Sequence, residues 1–480
     1  MAQVLQERLP HAARDTLVND LHSALNPTRV AGTVRVRSVG DIQRALWMAE
    51  RLGMAVSIAG GRHAMGGQQF GEGTLLLDMC GFQSVLTFDA ERGLLEVEAG
   101  IQWPELIQWL LDAQAGRTHT WGILQKQTGA DRLSLGGALS ANIHGRGLRI
   151  RPIISDIESF SLVAADGEVR QCSRTENSDL FGLAIGGYGL FGVIASVTLR
   201  LVPRRKLQRV VEVIDLDALP DAFERRIAAG DLYGDFQYAT AEDSEDFLNR
   251  GVFSSYRPVD DATPIPPAQR QLSEEDWRQL LYLAHVDKPK AFAAYSAHYL
   301  ATSGQVYWSD THQLSAYLDD YHAALDLRIG SAHPASEVIT EIFVPRRTLV
   351  SFMEEAREDF RRHHTNVIYG TIRWIERDDE SFLAWAREPW ACVIFNLHTE
   401  HTPLGVEHSA RAFRRLIAMA ARRSGSYYLT YHRAATREQV ESCYPKFVQF
   451  LRLKKKHDPE ERFQSEWYRH YREMFADVLG

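Results

Sequence analysis

Two glycine-rich stretches decide how this chain is read: residues 57–71, SIAGGRHAMGGQQFG, and residues 129–147, GADRLSLGGALSANIHGRG. A third, LAIGGYGLFGVI, follows at 183–194. Glycine permits positive φ and lets backbone N–H groups come close to an anionic ligand. Each stretch adjoins a strand-like apolar run, so together they point to a cradle for a pyrophosphate. One stretch alone is equally well explained by a tight turn in a crowded α/β domain; three in this order favour the cradle. The GxGxxG spacing directly after a first strand is absent, as is GxxxxGK[ST], so neither of the two commonest nucleotide loops is present.

Working outward, residues 41–52 (DIQRALWMAERL) place apolar side chains at helical spacing, and the run MAVSIAG leads from there into the first glycine-rich turn. TLLLDM (74–79) and LLEVEAG (94–100) read as strands, and Pro104 opens the helix PELIQWLLDA in the first turn, where proline is tolerated. SFSLVAADGEVR (159–170) reads as a hairpin turning at Asp166-Gly167. The sequence changes character after VTLRLVPRR (197–205). Residues 206–426 carry longer helices and strands and a polar, proline-containing loop at 257–268, and the chain ends in the aromatic and charged tail RFQSEWYRHYREMF.

With 480 residues the chain exceeds one hydrophobic core, so two or three domains are expected. A content of 45% hydrophobic and 24% charged residues is that of an ordinary globular protein. The net charge of -8 argues against a general nucleic-acid or membrane-surface binder. Four cysteines lie far apart without a CxxC, which disfavours a disulfide framework or a structural zinc site and fits a reducing compartment. The N-terminal residues have no apolar signal region, and no stretch approaches the ~20 apolar residues of a spanning helix, so the expected location is cytoplasmic.

The glycine-rich segments resemble those of the vanillyl-alcohol oxidase/p-cresol methylhydroxylase (PCMH-type) flavoprotein superfamily. SIAGGRHAMGGQ is similar to its flavin-attachment loop, in which a histidine, here His63, bonds to the flavin 8α-methyl carbon in many members. SLGGALSANIHG is similar to the corresponding motif of alditol and aldonolactone oxidases and of decaprenylphosphoryl-ribose 2'-oxidase, and GGYGLFGVI to the loop that runs beside the flavin. HDPEERFQSEWYR is similar to the end of the same enzymes. The resemblance covers residues ~30–205 and ~425–470. It implies an α+β fold: a PCMH-type FAD-binding domain of two α/β subdomains, and a substrate domain with an antiparallel sheet flanked by helices. The expected boundaries are 1–205 for the FAD-binding domain, 206–426 for the substrate domain and 427–480 for a segment returning to the first.

The resemblance further implies FAD held by Gly60, Gly61, Arg62, His63, Ala64, Gly67 and Gln68 of the first loop. From the second it implies Gly129, Ala130, Leu133, Ser134, Gly136, Gly137, Ser140, Ala141, Ile143, His144 and Gly145. Gly189, Gly192, Ile194 and Tyr428 complete that set. A single covalent link through His63 is expected, because the second loop lacks the cysteine of doubly tethered members. Neutral imidazole is a competent nucleophile for such a bond.

Hydride transfer to a flavin needs a base or a hydrogen-bond network beside the reacting carbon. Glu341 in ITEIFVP matches the glutamate of alditol oxidases, although Phe343 stands where those enzymes have an arginine. Tyr431 and His432 in YYLTYHR stand where relatives place a lysine, and are assigned here as the deprotonating pair with Glu341 orienting the substrate. Arg373 falls near a family lysine, and Asn396 and His398 share one strand face by period two, so these are expected to bind substrate. The run His398-Thr-Glu-His401 lacks supporting ligands nearby, so no metal is expected. The expected activity is FAD-dependent oxidation of an alcohol carbon in a small sugar-, polyol- or lactone-like molecule, with oxygen or another electron acceptor reoxidising the flavin. The alternatives are a flavin dehydrogenase passing electrons to a quinone or protein, or a flavin-binding protein without turnover.

Overall fold

A computed structural model describes residues 12–315, 318 and 321–479. The described residues open with a mixed sheet of four strands, β1 (Ala12–Val18), β2 (Thr28–Arg35), β3 (Val56–Ala59) and β4 (Leu75–Asp78), in the order β1-β2-β4-β3. The β4 leucines Leu75, Leu76 and Leu77 are all buried, as expected for a strand paired in parallel on both sides. Helix α1 (Val39–Arg51) crosses between β2 and β3, its first turn capped by the Ser38 hydroxyl accepting from the Asp41 N–H. Its Ile42, Ala45, Leu46 and Ala49 form the buried helical stripe.

A second, antiparallel sheet has the order β5-β6-β10-β8-β9. It is built from β5 (Val85–Asp89), β6 (Leu94–Glu98), β8 (Ile157–Val163), β9 (Val169–Ser173) and β10 (Val193–Arg200). The β8–β9 hairpin turns at Gly167, whose φ of 83° lies in the left-handed region. Between β6 and β8 run α2 (Trp103–Ala113), the two-residue β7 (Trp121–Gly122) and α3 (Leu135–Ala141); α4 (Ser178–Ala184) lies between β9 and β10. The short β11 (Val202–Pro203) pairs back with β7.

The remainder is dominated by an eight-stranded antiparallel sheet, ordered β15-β12-β14-β13-β17-β18-β16-β19. Its strands are β12 (Lys206–Asp215), β13 (Tyr233–Tyr238), β14 (Arg250–Pro258), β15 (Val306–Trp308), β16 (Ala335–Pro345), β17 (Val367–Ile375), β18 (Trp390–Glu400) and β19 (Ser426–Tyr427). The intervening helices are α5 (Leu219–Ala228), α6 (Glu274–Val286), α7 (Lys288–Ala301), α8 (Tyr321–Ile329), α9 (Leu349–His363) and α10 (Pro403–Arg422). One face of this sheet packs on α9 and α10, where Phe352, Phe360, Phe413 and Leu416 join Ile342, Val393 and Phe395 in a single apolar core. Fully burying each such side chain contributes about 1.5–3 kcal/mol, so the sheet is held as a firm platform. The opposite face carries the polar side chains of the site.

The last helices, α11 (Arg437–Cys443), α12 (Phe447–His457), α13 (Glu466–Met474) and α14 (Ala476–Leu479), bring the chain back to the first sheet. The Val56 N–H donates to Arg462 O at 2.7 Å and Gln464 N–H donates to Val56 O at 2.9 Å. Glu466 and Trp467 N–H groups reach Phe70 O and Gly67 O, which ties α13 to the first glycine-rich loop. Among the described residues, no helix is long and apolar enough to cross a membrane.

Candidate active site

A cavity of about 420 Å³ lies between the three glycine-rich loops and the polar face of the large sheet. The first and second loops touch through their backbones. A Cβ on Gly61 would stand 2.1 Å from Arg132 O, and one on Gly60 would stand 1.9 Å from Ser134 Oγ. Only glycine allows that approach. The second loop is fixed in turn by the buried ion pair of Lys126 with Asp131 at 2.5 Å, and by the Ser315 N–H donating to Asp131 Oδ2 at 2.8 Å. Gln68 ties the first loop to the turn after β19, donating from Nε2 to Leu429 O at 3.1 Å.

His63 lines this cavity, with Nδ1 2.9 Å from His22 Nε2. Burial, then the neighbouring His22, pushes its pKa down to about 3, so the ring is neutral at ordinary pH. His22 is likewise held down, to about 4, chiefly by burial.

On the opposite wall, period two along β16 turns Glu337, Ile339 and Glu341 into the cavity. Glu341 is 2% exposed and accepts from several donors. His144 Nε2 lies 2.6 Å from its Oε1, the Cys392 thiol donates to the same oxygen at 3.3 Å, and the Tyr431 hydroxyl donates to Oε2 at 3.1 Å. Burial pushes this carboxyl up, but His144, followed by Arg373 and Cys392, outweighs burial and holds it below its usual value. His144 Nδ1 sits 2.9 Å from Gly145 O, a carbonyl that can only accept, so Nδ1 carries a hydrogen. With Nδ1 so engaged, Nε2 is the ring nitrogen that faces the Glu341 carboxylate. Tyr431 keeps its hydroxyl proton, because burial and then Glu341 raise its pKa well above the ordinary value.

Arg373, directly opposite Cys392 on β17, also lines the cavity; it is 5% exposed and its Nε has no hydrogen-bond partner. Gln69 Oε1 and Thr128 Oγ1 are further buried polar atoms of cavity-lining residues without a partner. Asn396, opposite Ile339, completes this wall.

Most of the expected site residues meet here. Gly60, Gly61, Arg62, Ala64, Gln68, Gly129, Ala130, Leu133, Ser134, Gly136, Gly137, Ser140, Ala141, Ile143, His144, Gly189, Gly192, Ile194 and Tyr428 all line the cavity, as do Glu341 and Tyr431. Gly67 and Gly145 do not: Gly67 backs onto Asn26 and Glu466, and Gly145 backs onto Lys126 O. His432 is also not on the wall. The chain turns at Leu429-Thr430, which points Tyr431 inward and leaves His432 half-buried off the wall near Asp20, its pKa lowered to about 4 mainly by desolvation. Tyr431 and His432 thus do not meet at the cavity wall, where the Tyr431 hydroxyl reaches Glu341, which in turn meets His144. His398 shares a face with Asn396 but stands further along β18, beside Glu337.

Several lining residues carried no local signal. His22, Tyr369, Trp277 and Tyr321 arrive from separate elements, whereas Ile339 and Glu337 were accessible by extending the period-two pattern back from Glu341. His285, His322 and His398 surround Glu337, although the sequence around His398 shows no further ligands.

Residues 30–173 match the family described as FAD binding domain. The chain carries a PCMH-type FAD-binding domain. An L-gulono-1,4-lactone dehydrogenase of Mycobacterium tuberculosis is 25% identical over 91% of this chain and 94% of its own. An uncharacterized oxidoreductase from the fasciation locus of Rhodococcoides fascians is 32% identical over 34% of this chain and 36% of its own. L-gulonolactone oxidase of Mus musculus is 29% identical over 35% of this chain and 36% of its own. These last two matches thus span about a third of each relative.

The residues of the FAD-binding domain fit the cofactor. The paired loops at Gly60-Gly61 and Arg132–Ser134 leave no room for a Cβ, and the partnerless atoms of Gln69 and Thr128 belong to the cavity wall. Such atoms are costly to bury unless a ligand satisfies them. The α+β class also holds, with a mixed sheet and two antiparallel ones.

Proposed function

We propose that this protein is an FAD-dependent oxidoreductase that oxidises a CH–OH carbon of a polyhydroxylated, lactone- or sugar-like substrate. The observation that carries this reading is Glu341: a buried carboxylate, held in its ionised form, on the wall facing the FAD-binding loops. Bound FAD would accept the hydride from the substrate carbon, which carries both electrons of the oxidation. The chain supplies the rest. Glu341, coupled to His144 at 2.6 Å, takes the substrate hydroxyl proton, and Tyr431 holds Oε2 in position. Arg373, with its unsatisfied Nε, and Asn396 orient substrate oxygens. This moves the base from the Tyr431–His432 pair to Glu341 with His144.

The named activities of the Mycobacterium tuberculosis and Mus musculus relatives support a lactone-like polyol. The relative aligned over nearly its whole length is named a dehydrogenase, which favours an acceptor other than oxygen as the second reading. Oxygen consumption measured against reduction of an artificial acceptor decides between them. We further propose that His63, neutral and on the cavity wall, tethers the flavin covalently. The test of the activity is anaerobic bleaching of the flavin by a panel of lactones, sugars and alditols. Bleaching by at least one class is expected, and none by any class contradicts the reading.

A further inference from the structure

We infer that His285, His398 and Glu337 form a binding site for a divalent first-row transition ion, of which zinc suits the donor set best. Their ligand atoms all lie within 4.8 Å of one another. Glu337 Oε1 is 2.9 Å from His285 Nε2 and 3.5 Å from His398 Nδ1. In a tetrahedral site with metal bonds near 2.0–2.1 Å, neighbouring donors stand about 3.3 Å apart. The two measured edges bracket that value.

Topology fixes the arrangement. Glu337 and His398 are directly opposed in the β16–β18 ladder, which puts both on the same face of the sheet, and His285 reaches them from α6. Two imidazoles and one carboxylate suit zinc and its neighbours rather than calcium or magnesium, which prefer oxygen ligands throughout.

The surrounding hydrogen bonds are those of a ligand set. His285 Nδ1 is 2.8 Å from Leu281 O, so that nitrogen carries the hydrogen and Nε2 offers its lone pair toward Glu337. The second carboxylate oxygen, Oε2, is taken by the Tyr321 hydroxyl and by His322 Nε2, the latter at 2.7 Å, which leaves Oε1 facing the two histidines. Metal-bound imidazoles and carboxylates are usually oriented by such outer partners. His398 Nδ1 is buried and has no hydrogen-bond partner. Without an ion, His285 Nε2 must also carry a proton to bond Glu337, and His398 Nδ1 is left with only its long 3.5 Å approach to the same oxygen. An ion resolves both.

Of the three ligands Glu337 lines the cavity, and a fourth ligand entering from that side, water or a hydroxyl or carboxylate oxygen, would complete the coordination. Along β16 the site lies about 13 Å from Glu341, from a strand rise of roughly 3.3 Å per residue. The ion therefore anchors the far end of the substrate and takes no part at the reacting carbon. That role rests on the proposed oxidation; ion binding itself does not.

The test uses the full-length purified protein, stripped with a chelator and titrated with zinc, and in parallel with cobalt(II) as a spectroscopic probe. One tight equivalent per chain and visible cobalt bands beyond the flavin absorption are expected. His285→Ala, His398→Ala and Glu337→Gln should each abolish the tight equivalent while retaining normal flavin content. Tyr321→Phe, which spares every ligand, should weaken zinc by about 10- to 100-fold. Absence of stoichiometric zinc binding by the wild type would overturn the site, as would full binding in all of the ligand variants.

Discussion

His144, on the second glycine-rich loop, and Glu341, on β16, are 197 residues apart in sequence and 2.6 Å apart in space. The contact joins the FAD-binding loops to the polar face of the large sheet across the cavity. It places this hydrogen-bonded pair on the cavity wall.

The pair sets a pH dependence. Glu341 is held below its usual value, with His144 the largest lowering influence against burial. Its ionised form is fully present above the ordinary carboxylate range and is lost only as the pH falls through the lowered value. The wild-type rate of flavin reduction should therefore stay level down to about pH 4.3, the usual glutamate pKa, before falling. In His144→Ala burial acts unopposed by the imidazole, and the acid limb should move upward. Superimposable profiles of the two proteins would refute the coupling.

His63 makes a second prediction. A histidine of ordinary pKa is half protonated near pH 6.5, but His63 titrates at about 3. Covalent incorporation of FAD into the apoprotein should thus proceed at an even rate from about pH 8 to 5, with the flavin retained after acid precipitation. His63→Ala should bind flavin that acid releases. Complete release from the wild type would show that no tether forms.

Tyr431 and His432 should behave differently despite being neighbours. Tyr431→Phe removes the donor to Glu341 Oε2, while His432 lies off the cavity wall. A lost hydrogen bond to a charged group costs about 1.5–3 kcal/mol, or roughly 10- to 100-fold in the rate of flavin reduction. His432→Ala should change that rate by less than about threefold, because substitutions away from such contacts usually act within about 0.5 kcal/mol. Equal losses in both variants would restore the pair as a unit.

Gly61 tests the cradle. The backbone of Arg132 leaves no room for a Cβ there, so Gly61→Ala must push the two loops apart. FAD content per chain should fall steeply while the large sheet, distant from the clash, stays folded by circular dichroism. Full FAD content in this variant would contradict the loop packing.

Much of this site is local in the chain and therefore legible. Gly60–His63 and Ser134–His144 are contiguous runs, and a loop that wraps a ligand with its backbone leaves its glycines in sequence order. The helix at 39–51 and the hairpin at Gly167 were equally readable, from apolar spacing and from one Asp-Gly turn. The electrostatics were not. Glu341 appears in the sequence without His144, because the pair is closed by sheet packing and not by any local spacing. Tyr431 and His432 look equivalent until the turn at 429–430 sends them different ways. His398 has no ligand-like neighbour within its own run, yet β16 and α6 bring Glu337 and His285 beside it.

The most direct test of the account is anaerobic stopped-flow reduction of the flavin, comparing wild type with Glu341→Gln on the best substrate of a lactone, sugar and alditol panel. Glutamine keeps the size of the side chain but cannot accept a proton from a substrate hydroxyl. The expected result is normal flavin content with reduction slowed by about 100- to 10,000-fold, the usual loss on removing a general base. Reduction by Glu341→Gln within about threefold of wild type would contradict the central claim that this buried carboxylate takes the proton.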